Sequence, residues 1–390
     1  MNSKEAVMNT YGNRSTTLTK GEGVYVWDAE GRRYLDALSG IAVCGLGHCH
    51  PAVTKAICDQ ANTLLHCSNL YKIEPQLALG QALVDVAGME KVFFSNSGAE
   101  ANEAAIKIAR KYGNEKGIAQ PQVITATGSF HGRTMATLTA TGNPKVKEGF
   151  SPLLEGFVHA PYADVEAIRN AATDNTVAIL LEPVQGEGGV HVPADGYLKQ
   201  LRELCDENGW LLMLDEIQTG NGRTGKFFAY QHEGILPDVL TTAKGLGNGM
   251  PIGACLTQGK ASEILQPGNH GSTFGGNPVA TNAALAVVNT ICADGFLEQV
   301  TQRGEAMLKA FQEALAEQPT VTDIRGKGLM IGIELDRECT ELVERAKEKG
   351  MLINVTAGNT IRLLPPLIIN DSEAQSIVDT VLTLIKEFSA

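Results

Sequence analysis

Several features that identify common classes of protein are missing from this sequence. No apolar run approaches the length of a membrane span, and the polar N-terminus has no apolar signal core, so we expect neither a membrane protein nor an exported one. Eight cysteines occur but no CxxC pair, and the run His48-Cys49-His50 has the wrong spacing for a structural zinc site. We therefore predict reduced thiols, no metal site and a cytoplasmic protein.

Basic clusters are also missing. The formal net charge is −12, and an acidic chain without a Lys/Arg cluster repels phosphate backbones, so nucleic acid is not an expected partner. What the chain does have is 390 residues with 43% hydrophobic content. That is enough for two domains with substantial cores.

Strand and helix patterns alternate through the middle of the chain. The strand candidates are 91–95, 122–126, 177–181, 210–214, 239–242 and 252–256. Alternation of this kind predicts an α/β fold with a mostly parallel sheet covered on both faces. The stretch 23–35 predicts a hairpin, and long helices with short strands after Pro278 predict a smaller α+β domain that packs with the N-terminal segment. We therefore divide the chain at 1–44, 45–278 and 279–390.

A lysine follows the apolar run 239–242. Gly245, Gly247 and Gly249 come directly after Lys244, and they predict that no regular element begins there. In α/β proteins ligands bind beyond the carboxyl ends of the strands, and a buried lysine at such a place can form a Schiff base. On this stretch alone, a solvated loop lysine is the better interpretation.

Two carboxylates follow the preceding strand candidate, 210–214. Asp215 is costly at the end of a buried strand unless it has a cationic partner, although it could simply cap the next turn. Asp215 and Lys244, however, end neighbouring strands. An acid and an amine at one sheet edge suit pyridoxal phosphate, because the lysine holds the aldehyde and the acid keeps the ring nitrogen protonated.

An anion site is predicted between strand 91–95 and an alanine-rich helix, 101–111. Ser97 and Glu100 have the spacing of a capping box, and Gly98 lets the backbone approach a ligand. A helix N-terminus attracts a phosphate, whereas an ordinary capped helix is the alternative.

One motif is misleading. The stretch Gly220 to Lys226 matches the glycine and lysine positions of a nucleotide P-loop, but Phe227 stands where a Ser or Thr must bind Mg²⁺. No strand precedes it and no helical run follows. We interpret it as a glycine-rich loop near the site.

Further polar residues follow other strands. Phe130 could stack on a planar ring and Arg133 could bind a carboxylate, with core packing and a surface salt bridge as the respective alternatives. Glu182 and Glu187 lie on a glycine-rich exit from strand 177–181. Arg362 is a lone cation in an apolar strand, which a core ion pair would also explain.

These stretches together carry a specific resemblance, in the same order over nearly the whole chain. The motifs are SNSGAEA, SFHGRT, EPVQGEGG, LDEIQTGNGRTG, TTAKGLGNGMPIG, HGSTFGGNP and IRLLPPL. In these motifs the chain resembles the fold-type I, class III pyridoxal-phosphate aminotransferases, close to the acetylornithine/succinylornithine branch. The resemblance implies a seven-stranded, mostly parallel sheet in a large domain and a homodimer with shared active sites. It also implies transfer of the terminal amino group of N2-acetylornithine to 2-oxoglutarate, in arginine biosynthesis.

The resemblance also implies the cofactor-binding residues. Lys244 would bind the aldehyde and then move protons, and Asp215 would face the pyridine nitrogen. The other implied residues are Gly98 and Ala99 at the phosphate, Phe130 on the ring, Gln218 near the ring hydroxyl, and Ser272 and Thr273 from the partner subunit, Thr273 at the phosphate and Ser272 also near the substrate.

The substrate would be held by two arginines. Arg133 would take the distal carboxylate, and Arg362 would take the α-carboxylate of glutamate after giving up Glu187. We expect Glu187, on its glycine-flanked loop, to be free to swing away. Ornithine-specific members tend to carry a tyrosine near Gly40, so glycine there favours an acylated donor, unless Gly40 only permits a turn. Cys44 departs from the family, which usually has asparagine at that position.

Two other functions remain open at this point. A non-catalytic binding protein of the same fold would be favoured by loss of the lysine or the aspartate, and both are present. A different pyridoxal enzyme, such as a decarboxylase or an aminomutase, needs no second arginine. Acetylornithine, succinylornithine and free ornithine all fit the motifs as donors.

Overall fold

The computed structural model describes residues 6–12 and 15–389. Its strands, in chain order, are β1 Leu18–Glu22, β2 Tyr25–Asp28, β3 Arg33–Asp36, β4 Lys91–Ser95, β5 Gln122–Ala126, β6 Phe157–Ala160, β7 Thr176–Leu181, β8 Leu211–Asp215, β9 Val239–Thr242, β10 Gly253–Thr257, β11 Val321–Lys327, β12 Met330–Leu335, β13 Met351–Leu352, β14 Asn354–Thr356 and β15 Thr360–Leu363. Its α-helices are α1 Ser39–Ala42, α2 Pro51–Ala61, α3 Glu74–Ala87, α4 Gly98–Glu115, α5 Met135–Ala140, α6 Val165–Ala171, α7 Tyr197–Asn208, α8 Pro278–Ile291, α9 Phe296–Leu315, α10 Leu342–Glu348 and α11 Asp371–Ser389.

A seven-stranded sheet forms the centre of the larger part of the fold. Its order is β4-β10-β9-β8-β7-β5-β6, and β10 runs in the direction opposite to the other six strands. The central strands β7, β8 and β9 are buried along their whole length, because helices cover both faces. The predicted fold, a mostly parallel sheet within an α/β unit, is confirmed.

A smaller part combines the two ends of the chain. The predicted hairpin forms from β2 and β3, and β13 from the C-terminal third pairs with β3. A second four-stranded sheet has the order β11-β12-β15-β14. Val24 and Leu35 share a buried cluster with Phe311 and Ile377, so one core joins both termini. The proposed domain boundaries, 1–44, 45–278 and 279–390, stay a prediction.

The sequence analysis missed three strands, β1, β6 and β11. β1 is mostly exposed, β6 is an edge strand that is mostly half-buried, and β11 is exposed or half-buried and carries charged residues. None has the continuous apolar run by which the buried strands were recognised.

The eight cysteines all lie within the described residues, and each is a free thiol. Within the same residues no single helix is long and apolar enough to cross a membrane. Helices α8 and α9 reach that length and apolar content only when taken together, and their axes meet at a bend of 71°.

Candidate active site

The carboxyl edge of the central sheet opens into a cavity of about 410 Å³. Asp215 ends β8, which is parallel to β9, and Lys244 follows β9 after one residue. Both side chains line the cavity, together with Gly98, Ala99 and Phe130. The structure therefore brings together the amine, the carboxylate, the aromatic ring and the helix start that the sequence predicted.

Lys244 does not sit on an irregular loop as expected. A single 3₁₀ turn, Lys244–Leu246, begins at the lysine itself, so the prediction that the glycines exclude a regular element there was wrong. The turn closes with the N–H of Gly247 donating to the carbonyl of Lys244 at 3.2 Å. Lys244 itself has φ +45°, an uncommon conformation for a residue with a side chain and a mark of local strain at functional sites.

The surroundings of Lys244 change its acidity. Burial lowers the pKa of its ammonium, the charge of Glu187 partly opposes this, and the charge of Arg362 adds to it. A lysine with a lowered pKa is more often neutral, and a neutral amine is both a nucleophile and a base.

Asp215 is 3% exposed and is held from both sides. Its Oδ2 accepts hydrogen bonds from Nδ2 of Asn102 and Nδ1 of His131, each at 2.8 Å, and its Oδ1 accepts the N–H of Ile217 at 3.0 Å. The side-chain Oδ1 of Asn102 in turn accepts from the hydroxyl of Thr241 at 2.7 Å, which fixes the orientation of the amide that donates to Asp215.

The sequence analysis missed Asn102 and His131. Asn102 is fully buried in α4, on the face that is otherwise alanine and isoleucine, and a lone amide in such a stripe was a usable signal. His131 lies inside the motif SFHGRT, and its Nε2 is buried without a hydrogen-bond partner among the described residues. It lines the cavity beside Asp215.

The start of α4 has free N–H groups, as the predicted anion site requires. Ser97 caps the helix by accepting the N–H of Glu100 at 3.2 Å. Glu100 reaches back to the N–H of Asn96 at 2.5 Å, one residue before the cap rather than at it. In the first turn of a helix the N–H groups have no helical partner, so those of Gly98 and Ala99 are available to an anion.

Gly98 is required by close packing. An ideal Cβ at this position would lie 2.6 Å from Cδ1 of Ile217 and 2.9 Å from its Cγ1. Since Ile217 also lines the cavity, the glycine lets helix α4 approach the loop after Asp215.

Arg362 lies on β15 and is 1% exposed. Its Nη1 is 2.6 Å from Oε1 of Glu187 and 3.3 Å from Oε1 of Gln218. Its Nε and Nη2 both donate to Oδ1 of Asn354, at 3.2 and 2.7 Å. The expected pair between Arg362 and Glu187 is present, and Asn354, which the sequence analysis missed, completes the set.

The charge of Glu187 is maintained by this pairing. Burial alone would raise the pKa of its carboxyl, but the charge and hydrogen bond of Arg362 hold it below its ordinary value. The expectation that Glu187 swings away from Arg362 stays a prediction. The backbone at 185 and 191 is joined by two hydrogen bonds, and Thr356 donates to the carbonyl of Glu187 at 2.5 Å, so the movement would be a rotation of the side chain.

Glu182 forms part of the cavity wall. Its carboxyl accepts the N–H of Phe130 at 3.1 Å and that of Gly186 at 3.4 Å. Burial raises its pKa to about 7, and the charge of Asp215 adds to this effect. Glu216, by contrast, turns away from the cavity and accepts the N–H groups of Ala229 and Tyr230, which fixes the glycine-rich loop.

That loop carries a second buried cation. Arg223 is 2% exposed and donates to the carbonyls of Leu329 at 3.0 Å and Pro365 at 2.6 Å. No strand leads into this loop, and Lys226 is exposed at its end, which agrees with the rejection of a P-loop. Through the hydrogen bonds of Arg223, this loop instead contacts the residues just before β12 and just after β15, the strand that carries Arg362.

Arg133 is exposed, and its Cζ lies 5.6 Å from the centroid of Phe130. It forms no ion pair within residues 6–12 and 15–389, so the surface salt bridge considered as its alternative is not found. Ser272 and Thr273 do not line the cavity that contains Lys244. They border a separate surface cleft, where Ser272 Oγ accepts the N–H of Gly275 at 2.9 Å.

Near the cavity the chain forms a left-handed turn. The four consecutive residues Ser39 to Ala42 have φ between +47° and +65°, although only Gly40 adopts such values without strain. Asp36 accepts the N–H of Ser39 at 2.8 Å, and Ser39 Oγ donates to the carbonyl of Leu364 at 2.5 Å. Val43, the next residue, lines the cavity.

Comparison with known proteins agrees with this geometry. The profile of the family Aminotransferase class-III matches residues 7–385. The chain is 56% identical to the acetylornithine aminotransferase of Nitrosomonas europaea over 98% of each protein. Among solved structures, the ornithine aminotransferase of Toxoplasma gondii superposes with a TM-score of 0.95 at 34% identity, covering 98% of this chain and 93% of that one. The acetylornithine aminotransferase of Elizabethkingia anophelis superposes with a TM-score of 0.88 at 36% identity, covering 98% and 96%. The chain therefore belongs to the class-III aminotransferase family.

Proposed function

We propose that this protein is a pyridoxal-phosphate-dependent acetylornithine aminotransferase, which transfers the terminal amino group of N2-acetylornithine to 2-oxoglutarate in arginine biosynthesis. The observation that carries the proposal is one cavity lined by both a half-buried amine, Lys244, and a buried carboxylate, Asp215. Support also comes from the Nitrosomonas europaea protein, which bears this name and is 56% identical.

The residues of the cavity fit pyridoxal phosphate. An amine for an aldehyde, a carboxylate for a ring nitrogen, an aromatic face and a helix N-terminus for a phosphate all line one cavity. When bound, the cofactor supplies an aldehyde that takes up the amino group and a ring that withdraws electrons from the reacting carbon. We assign the aldehyde to Lys244, the ring nitrogen to Asp215, the ring face to Phe130, the ring hydroxyl to Gln218, and the phosphate to Gly98 and Ala99.

Lys244 would move the proton at the substrate carbon that carries the amino group. Its lowered pKa makes the neutral amine more available as a base near neutral pH. Asn102 and His131 donate to Oδ2 of Asp215 and the N–H of Ile217 donates to Oδ1, so the carboxylate is held in place where it lines the cavity.

Two arginines would bind the substrates. Exposed Arg133 would take the distal carboxylate of either substrate, and buried Arg362 would take the α-carboxylate of glutamate. The amino donor has no carboxylate for Arg362 when its terminal amine reacts. Glu187 would then neutralise Arg362, since a buried cation without a partner costs several kcal/mol.

A second copy of the chain would complete the site. Ser272 and Thr273 lie outside the cavity of their own chain, and we propose that they reach the phosphate in a partner subunit of a homodimer. Next to them Phe274 is 61% exposed and Leu70 is 87% exposed, and Asn69 joins the two segments through a 3.0 Å hydrogen bond to the carbonyl of Ser272. Exposed apolar residues grouped in this way are typical of a subunit interface. We further propose a cytoplasmic enzyme without nucleic-acid or membrane partners.

The acylated donor is proposed over free ornithine. Free ornithine carries an ammonium at its α-nitrogen, which is penalised when buried without an anion or strong acceptors. At Gly40 the φ of +64° supports the simpler interpretation that the glycine permits the turn.

The test has two parts. Purified protein reconstituted with pyridoxal phosphate should absorb visible light and bleach when glutamate is added, and a featureless spectrum would reject the cofactor. The donors N2-acetylornithine, N2-succinylornithine and ornithine are then compared by kcat/KM with 2-oxoglutarate as acceptor. We expect the acetylated donor to be preferred. A tenfold preference for ornithine, about 1.4 kcal/mol of transition-state binding, would instead assign an ornithine aminotransferase.

A further inference from the structure

The loop that carries Glu187 is strained and closed. Gln185 and His191 exchange two backbone hydrogen bonds, of 3.1 and 3.0 Å, so that 186–190 forms a short closed loop. Val190 within it is fully buried and has φ +57°. A β-branched residue is an outlier at such a φ and is retained only where its surroundings determine it.

Arg325, on β11, supplies much of that determination. Its Nη2 donates to the carbonyl of Gly189 at 2.6 Å and its Nε to that of Val190 at 2.9 Å. The remaining nitrogen, Nη1, lies 2.7 Å from a carboxylate oxygen of both Asp323 and Glu334. The two carboxylates therefore orient the planar guanidinium, which donates to the carbonyls of both Gly189 and Val190 in the strained segment.

Strand β12, which pairs with β11, packs against the loop 186–190. A Cβ at Gly332 would lie 2.8 Å from Cβ of Val190, so Val190 packs directly on the backbone of β12. On the other side Thr356 holds the carbonyl of Glu187. The backbone at Glu187 is thus fixed on two sides, which leaves its carboxylate 2.6 Å from Arg362.

We propose that Arg325 is a positioning residue that sets the balance between the two half-reactions. This inference rests on the proposed role of Glu187 as the alternating partner of Arg362. While Arg325 holds the loop 186–190, the ion pair between Glu187 and Arg362 re-forms whenever the α-carboxylate of glutamate leaves. Without the hydrogen bonds from Arg325, the ion pair between Glu187 and Arg362 weakens and Arg362 is more often free. Dicarboxylates then bind more tightly, and the half-reaction with the amino donor becomes slower.

The experiment uses the holoenzyme with Arg325→Met, which keeps the volume but removes the fork, and Arg325→Lys, which keeps the charge. Arg202→Met is the matched control, because Arg202 is 14% exposed against 13% for Arg325 and also contacts two carboxylates. Its backbone acceptor, however, is the carbonyl of Leu236 rather than the loop 186–190. Single-turnover rates are measured for the acetylornithine and glutamate half-reactions. Calorimetry measures the binding of glutarate, a dicarboxylate that cannot react.

For Arg325→Met we expect the acetylornithine half-reaction to lose at least tenfold in rate, while the glutamate half-reaction changes less than threefold. The dissociation constant of glutarate should fall at least threefold. Arg325→Lys should show a smaller difference between the two half-reaction rates, with the acetylornithine half-reaction again the slower. If the methionine variant does not fold, the lysine variant provides the test. For Arg202→Met the two half-reactions should change equally and glutarate binding should not change.

Equal losses in both half-reactions, or unchanged glutarate binding, would overturn the role of Arg325. Glu187→Gln distinguishes this result from failure of the underlying assignment. If Glu187→Gln separates the half-reactions and Arg325→Met does not, only the role of Arg325 is rejected. If Glu187→Gln itself slows both equally, the alternating pair in the proposed function is wrong.

Discussion

The contact between Gly98 and Ile217 provides a quantitative test of how the site is built. In Gly98→Ala the added Cβ would meet three atoms of Ile217, Cδ1, Cγ1 and Cγ2, at 2.6, 2.9 and 3.0 Å. Real carbon atoms do not approach so closely, so Ile217 must move. Its N–H donates to Oδ1 of Asp215, and its side chain lines the cavity. Movement therefore disturbs the carboxylate or reduces the space for the cofactor.

The magnitude follows from packing. Overpacking of this kind costs about 1–3 kcal/mol, and the better helix propensity of alanine recovers less than about 1 kcal/mol, so we expect a net loss. Ile217→Ala removes all three clashing atoms. Alone it is destabilising, by less than the roughly 2–5 kcal/mol of a fully buried isoleucine, because Ile217 is only half-buried. Combined, the two changes should be coupled by about 1–3 kcal/mol in the favourable direction.

The assay is urea unfolding of the apoprotein for the wild type, both single variants and the double variant, followed by titration with pyridoxal phosphate. Gly98→Ala should bind the cofactor at least tenfold more weakly, and Ile217→Ala in the same chain should restore part of that loss. Gly80→Ala in α3 is the control, because its Cβ would come no closer than 3.3 Å to Val92. Strictly additive effects on unfolding would refute the steric explanation. Unchanged cofactor affinity in Gly98→Ala would refute the placement of the phosphate at this helix start.

Two further predictions concern charged groups. Asp215→Asn should retain the cofactor, measured by its absorbance, but lose about 10²-fold or more in kcat, because a preorganised charge is removed from the reacting centre; a variant with kcat near the wild type would exclude the role. The second concerns His48, whose pKa is raised to about 10, mainly by its hydrogen bond to Asp36 and next by Cys44. Since the folded pKa lies above the unfolded value of 6.5, the resulting stability is fully present below pH 6.5 and is lost as pH rises to 10. Urea unfolding between pH 6.5 and 10 should therefore show a steeper loss for the wild type than for His48→Asn, and parallel curves would contradict the pairing.

The sequence was informative where chemistry and periodicity coincide. Buried strands such as β8 and β9 are continuous apolar runs, and a polar residue directly after such a run has few structural explanations. That reasoning placed Asp215 and Lys244 at neighbouring strand ends, and the structure places them in one cavity. The helix start at Gly98 was predictable for a similar reason, since its capping residues are local in sequence.

Tertiary partners were not predictable in this way. Asn102 and His131 reach Asp215 across 113 and 84 residues, and nothing in the local pattern of either segment specifies the contact. A turn at Gly40 was one interpretation of the sequence, but the left-handed conformation of Ser39, Ile41 and Ala42 was not predictable because these residues are not glycine. Ser39 donates hydrogen bonds to the carboxylate of Asp36 and to the carbonyl of Leu364, which hold the turn, and both depend on the assembled fold.

Arg362 shows how far the function depends on such assembly. A buried guanidinium needs acceptors for all its N–H groups, and Glu187 satisfies only one nitrogen. Asn354 satisfies the other two because β14 pairs with β15 in the register that sets Asn354 opposite Arg362. A slip of one residue would set Ile353 or Val355 opposite the arginine, and neither side chain can accept a hydrogen bond. Arg362 would then keep only Glu187 and Gln218 as partners, both on Nη1. The register of a three-residue strand therefore holds Arg362 in the arrangement that the proposed exchange of Glu187 for a substrate carboxylate requires.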